Sequence, residues 1–187
     1  MLVLASKSPR RKALLAEAGM DFIVDPAAGE EEPWNGAIPP EEYVRRLAAR
    51  KALEVAPRHP GARIVGADTI VVLDGRILGK PRDMENAREM LSMLSGREHM
   101  VFTGVALARD AALLRSWTTA TAVRFKTLSG DEIREYLSLV NPLDKAGAYG
   151  IQDHGDLIVE GIRGSYSNVV GLPVEELLEA LAAVQGQ

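Results

Sequence analysis

Between Ser6 and Lys12 the chain concentrates hydroxyls and cations where a helix should begin: Ser6, Ser8, Arg10, Arg11 and Lys12. Ser8 is placed to cap that helix and Pro9 to occupy its first position. Cations in a first turn face the positive end of the macrodipole, and each costs roughly 0.3–1 kcal/mol there. The same turn presents backbone N–H groups, so all its donors converge on one spot after a short apolar segment, which suits a multiply charged anion such as a triphosphate. A solvated basic turn whose arginines reach neighbouring carboxylates accounts for the same residues. There is no GxxxxGK[ST] sequence, which excludes a P-loop nucleotidase.

Asp68 is the second chemical signal. It interrupts the apolar run Ile64–Leu73 in the sequence Gly66-Ala67-Asp68-Thr69. A carboxylate in a strand of that type needs a cation, a metal or hydrogen bonds; a structural ion pair would serve equally. If Asp74-Gly75 is a two-residue turn, Thr69 lies opposite Lys80 and Asp68 opposite Pro81, which makes Lys80 a neighbour of the Asp68 backbone. Lys51 shares helical spacing with Val44, Leu47, Ala48 and Val55, so its ammonium must snorkel or find an anion. The acidic run Glu30-Glu31-Glu32 is either a solvated loop or a source of oxygen ligands for a hard cation such as Mg²⁺. His59, His99 and His154 show no metal-ligand spacing and receive no role. No GxSxG elbow supports serine hydrolase chemistry.

The elements that must position these residues follow from periodicity and caps. A strand over Leu2–Ala5 precedes the capped helix, which ends before Gly19 and turns Leu14, Leu15 and Ala18 inward. Residues 24–39, with three prolines and the acidic run, read as an exposed loop. A helix runs from near Pro40 to Ala56, and the buried strand Ile64–Leu73 turns through Asp74-Gly75 into Arg76–Leu78. Asp83 caps a helix ending at Gly96. Strands over about 100–108 and 114–127 follow, and Ser129 with Glu132 forms a capping box for a helix through Leu139. Leu157–Ile162 reads as a strand, and Pro173 starts the last helix. The fold class is mixed α/β: a central sheet covered by helices.

The 187 residues include 22 Lys+Arg and 26 Asp+Glu, a formal charge of −4, which lacks the field expected of a protein that coats a nucleic acid polymer. Zero cysteines exclude disulfides, thiolate metal sites and a cysteine nucleophile. The apolar start Leu2–Ala5 is too short for a signal peptide or a spanning helix. The expectation is a soluble cytoplasmic protein with no membrane partner.

Leu4-Ala5-Ser6-Lys7-Ser8-Pro9-Arg10-Arg11 resembles the opening motif of the Maf family of nucleoside triphosphate pyrophosphatases. The later motifs occur in the family's order: Gly66-Ala67-Asp68-Thr69, Leu78-Gly79-Lys80-Pro81, Leu94-Ser95-Gly96-Arg97 with His99 and Thr103, Asp144 through Gln152, and Gly164 through Pro173. The resemblance implies one domain over residues 1–187, a mixed central sheet flanked by helices with two lobes around a cleft, and a homodimer. It implies that Ser6, Arg10, Arg11, Lys51 and Lys80 act at the phosphates and that Asp68 is the catalytic carboxylate. Glu31, or one of its neighbours Glu30 and Glu32, would join Asp68 in holding Mg²⁺ or Mn²⁺. Lys145-Ala146-Gly147-Ala148-Tyr149-Gly150-Ile151-Gln152 resembles the subgroup acting on dTTP and UTP, in which the positions of Arg11, Thr69 and Gln152 bear on base choice. A nucleotide-responsive binding protein acting in septum formation is the alternative from another class.

Overall fold

The computed structural model describes residues 1–29 and 33–184. The chain divides into two compact units. One comprises Met1–Thr69, Thr103–Thr119 and Gly171–Gln187, the other Ile70–Phe102 and Ala120–Val170. Seven strands, β1 (Leu2–Leu4), β2 (Ile23–Val24), β3 (Arg63–Leu73), β4 (Arg76–Leu78), β5 (Glu98–Arg109), β6 (Ala112–Phe125) and β7 (Val159–Arg163), form one mixed sheet in the order β2-β1-β3-β5-β6-β7, with β4 paired to β3. β1 runs parallel to both β2 and β3, whereas β4 is antiparallel to β3 and β7 to β6. The expected α/β class with a helix-flanked sheet is what the chain adopts.

In the first unit, α1 (Pro9–Glu17) starts at Ser8, whose Oγ accepts the Arg11 N–H at 3.4 Å, and Gly19 follows its end in the left-handed region. Leu14 and Leu15 are its buried apolar residues. The long helix α2 (Pro40–Val55) has Glu41 and Glu42 in its first turn, the favourable end for carboxylates. Its small buried residues Ala48 and Ala52 pack with Val3, Ile64 and Ala106 of the strands. A Cβ on Gly66 would collide with the Ala48 carbonyl, and one on Gly104 with the Val44 carbonyl. Two glycines therefore let the α2 backbone lie directly on β3 and β5.

The loop expected over 24–39 is interrupted at its start, since Ile23 and Val24 form β2 alongside Val3 and Leu4. Two half-exposed residues at a sheet edge are too few to show a period.

The second unit buries Val71, Leu91, Leu94, Phe125, Tyr136 and Ile158 in its core. α3 (Met84–Leu94) is capped by Asp83, whose carboxylate accepts the Asn86 N–H at 2.7 Å. α4 (Gly130–Leu139) carries the full Ser129–Glu132 capping box. Past α4 the predicted strand over Leu157–Ile162 begins later: Gly155–Ile158 is a short helix, α5, and β7 starts at Val159. His154 in the left-handed region turns the chain into α5, and Ile158 fills the core from it; a short apolar run fits either element. The five-residue helix α6 (Tyr166–Val170) carried no sequence signal. In the first unit, α7 (Val174–Ala183) begins after Pro173 as expected. Among the described residues no helix is long and apolar enough to cross a membrane.

Candidate active site

Side chains alternate along β3, so Gly66 and Asp68 share one face and Ala67 and Thr69 the other. The Gly66 face is the one against which α2 lies, and one turn beyond Ala48 on that helix stands Lys51. Its Nζ donates to Asp68 Oδ1, and the two side chains are 15% and 13% exposed. The anion that an ammonium on the apolar side of α2 requires is thus the carboxylate that interrupts β3, and the structure joins two residues that the sequence could only flag separately.

The opposite face of β3 meets Arg11. The residue is 9% exposed, and its guanidinium donates from Nε to the Gly171 carbonyl at 2.8 Å, from Nη1 to Ser6 Oγ and the Ala67 carbonyl at 3.0 Å each, and from Nη2 to Thr69 Oγ1 at 3.0 Å. Ser6 Oγ also accepts the Ser8 N–H at 3.2 Å. Thr69 Oγ1 lies 2.9 Å from Thr103 Oγ1. Arg11 therefore gathers Ser6, β3 and Gly171 into one hydrogen-bonded cluster. Such multiple charge-assisted donation fixes a planar guanidinium firmly. Arg10 is half-buried, while Lys7 and Lys12 are exposed. Thr103, fully buried in β5, and the Gly171 carbonyl carried no assignment from composition or spacing. The available signal was a hydroxyl in an otherwise buried strand.

In the second unit the antiparallel ladder runs Leu73–Arg76, Val72–Ile77 and Val71–Leu78 and stops there. The turn register is as expected, but the extension of the ladder to Thr69–Lys80 and Asp68–Pro81 does not form. The Gly79 carbonyl instead accepts the Gly147 N–H at 3.0 Å, and Pro81 has no N–H to give. Gly147, at φ +69°, packs against Val71. Lys80 is exposed one residue beyond this bond, so the Lys145–Gln152 segment holds the strand end that carries Lys80. Gln152 is exposed in the turn preceding α5 and lines, with Lys145, Asp153 and His154, a polar cavity of about 530 Å³.

The histidines take structural places. His99 Nε2 lies 2.7 Å from the Tyr149 hydroxyl, with both rings edge-on to Phe125. Burial pushes His99 down to about 4 and Tyr149 well above the usual phenol range. His59 pairs with Asp25 at 2.7 Å. Glu31 lies outside the described residues, as do Glu30 and Glu32. Among the described residues no three potential ligands converge as a metal cluster. Asp68 supplies carboxylate oxygens of the kind that a hard divalent cation takes, and Mg²⁺ commonly uses one or two carboxylates and completes its shell with phosphate and water. The residues present therefore fit a cation that arrives with a phosphate substrate.

A part-buried carboxylate–ammonium pair and a basic helix start, mounted on opposite faces of one strand of a mixed sheet, characterise this α/β protein. The family described as Maf-like protein matches residues 1–184, and the chain belongs to it. It is 50% identical over 184 residues to the dTTP/UTP pyrophosphatase of Myxococcus xanthus, covering 97% of this chain and 91% of that protein. To the dTTP/UTP pyrophosphatase of Syntrophus aciditrophicus it is 47% identical over 181 residues, covering 96% and 88%. Among solved structures, the Staphylococcus aureus Ham1 protein aligns with a TM-score of 0.47 and 14% identity over 97% of each chain.

Proposed function

We propose that the chain hydrolyses dTTP and UTP to the nucleoside monophosphate and pyrophosphate. The observation that carries this reading is the part-buried Lys51–Asp68 pair, set on the strand whose other face holds Arg11 and Thr69. Family membership and relatives that share about half of their residues and bear that name support it.

A water molecule attacks the α-phosphorus. A P–O bond forms there, and the bond to the bridging oxygen of the β-phosphate breaks, so that pyrophosphate leaves. Asp68 orients this water and accepts its proton. An arriving phosphate competes for the Lys51 ammonium, which shifts charge compensation from the carboxylate to the substrate just as water must be activated. Ser6, Arg10 and Lys80 offset phosphate charge and the charge developing on the leaving group. Arg11, already committed to four protein acceptors, acts through the shape of the cluster it builds and through Thr69. Gln152 offers an amide that both donates to and accepts from the imide edge of uracil or thymine. A divalent cation, Mg²⁺ or Mn²⁺, would be held by Asp68 and Glu31 and would supply polarisation of the phosphate oxygens. The enzyme works in the cytoplasm as a homodimer and cleans the nucleotide pool.

The test is a panel of UTP, dTTP, CTP, ATP and GTP with Mg²⁺, scoring pyrophosphate and orthophosphate separately. Pyrophosphate from UTP and dTTP is expected. Orthophosphate with a diphosphate product would overturn the assigned bond, and tight binding without turnover would favour a nucleotide-responsive regulator.

A further inference from the structure

Lys145 begins the segment that ends at Gln152, and nothing in the proposed chemistry uses it. Its side chain is 7% exposed, and the Nζ makes three contacts: it donates to the Asn141 carbonyl at 2.6 Å and lies 2.9 Å from Asp144 Oδ1 and 3.1 Å from Asp153 Oδ2. Three acceptors match the three N–H groups of an ammonium. Asp144 precedes Lys145 in the chain, whereas Asp153 immediately follows Gln152. The ammonium therefore ties the two ends of the 145–153 segment together.

The path of the stem is just as specific. A Cβ on Gly150 would stand 2.9 Å from Lys145 Cε and 2.9 Å from Asp153 Oδ2. Gly150 thus leaves open the channel through which Lys145 reaches Asp153. Its own N–H donates to the Tyr136 hydroxyl at 3.2 Å, and its carbonyl accepts the Asp153 N–H at 3.1 Å. At the other end, Ala148 N–H donates to the Lys145 carbonyl at 3.1 Å. Gln152, by contrast, is exposed, so its placement depends on the turn that carries it.

We infer that Lys145 is a positioning residue for base choice: by clamping Asp153 beneath Gly150 it fixes the turn that presents Gln152. A loose turn would still carry the amide, but an amide aimed loosely at an imide edge loses the discrimination that comes from leaving a wrong base unpaired. This inference rests on the proposed role of Gln152 in selecting uracil and thymine.

The experiment compares Lys145→Met, Asp153→Ala, Gln152→Ala and the double variant Lys145→Met/Gln152→Ala, each against the parent protein. Two readouts are taken: the ratio of kcat/KM for UTP over ATP, and hydrogen exchange of the amides at 150–153. Asp153 is 41% exposed in its side chain, so Asp153→Ala keeps the question open should Lys145→Met fail to fold. In Lys145→Met the 150–153 amides should exchange faster and the UTP/ATP ratio should fall about tenfold, the scale of one mispaired polar group. Asp153→Ala should do the same, kcat for UTP should stay within about threefold of the parent, and the double variant should lose no more selectivity than Gln152→Ala alone. Unchanged exchange overturns the clamp. Faster exchange with selectivity kept in Lys145→Met but lost in Gln152→Ala overturns the positioning role. Should Gln152→Ala itself keep full selectivity, the reading of Gln152 falls and takes this inference with it, an outcome that the single variant identifies by itself.

Discussion

Lys51 of α2 and Asp68 of β3 are held in contact because Gly66, two residues before Asp68 on the same strand face, lets the helix backbone rest on the sheet. Neither residue is far enough from solvent to be inert nor exposed enough for the pairing to be incidental. The pair links the packing of the first unit to its chemistry, so changes to either partner have separable effects on folding and turnover.

Lys51→Met leaves the Asp68 carboxylate without its ammonium and should cost about 2 kcal/mol, between the values for exposed and fully buried pairs because both side chains keep some solvent. Asp68→Asn retains an acceptor for Lys51 and should cost less stability, while lowering kcat at least ~100-fold through loss of the positioned base. Urea unfolding and UTP turnover measured on the same samples check both. A folded Asp68→Asn protein with parental kcat would show the carboxylate to be structural.

Arg11→Lys replaces a rigid fork by a single ammonium that cannot span Ser6, Ala67, Thr69 and Gly171 together. Loss of two or more charge-assisted bonds predicts a destabilisation of roughly 2–4 kcal/mol, read as a fall in the urea midpoint at constant slope. A midpoint unchanged within error would mean that the cluster is not a source of stability.

Gly66→Ala adds one methyl against the Ala48 carbonyl and Ala52 N, so α2 must move off β3. Overpacking of this kind costs about 1–3 kcal/mol. The shift also carries Lys51 away from Asp68, and kcat/KM should fall for every nucleotide by a similar factor. Gly19→Ala, at a left-handed position with open space around it, is the control: strain without loss of activity.

His99 has a pKa of about 4 in the folded protein against an ordinary value of 6.5, because burial disfavours its charged form. The folded state therefore binds fewer protons than the unfolded chain between these values. The stability attributable to the neutral ring is complete above pH 6.5 and is lost progressively as pH falls towards 4, by on the order of 3 kcal/mol. Unfolding free energies at pH 7.5 and 4.5 should differ by less in His99→Phe than in the parent. Equal pH dependence in the two proteins would show that His99 does not carry the effect.

Caps, turns and periodicity made most elements of this protein legible. Ser8-Pro9, Asp83, the Ser129–Glu132 box and Asp74-Gly75 are local devices whose geometry depends on a few adjacent residues, so they read correctly without a fold. The ordered motifs from Leu4 to Pro173 likewise fixed the family. The two-residue β2 shows no period, and Leu157–Ile158 reads as strand although it is helical, because these conformations are imposed by a sheet edge and by the core into which Ile158 packs rather than by their own propensities.

Residue types and their neighbours along the chain mark what could do chemistry: a carboxylate inside an apolar strand, an ammonium on an apolar helix face, and arginines against a helix dipole. Their partners come from the fold. It joined Lys51 to Asp68, turned Arg11 inward to four acceptors, and closed Lys145 onto Asp153. It also ended the β3–β4 ladder at Leu78. The physical reason is that a charge's need for compensation is local and shows in its neighbours along the chain, whereas the group that meets the need is chosen by close approach of distant segments. At Gly66 and Gly150 that approach depends on the absence of a side chain, which spacing and periodicity do not register.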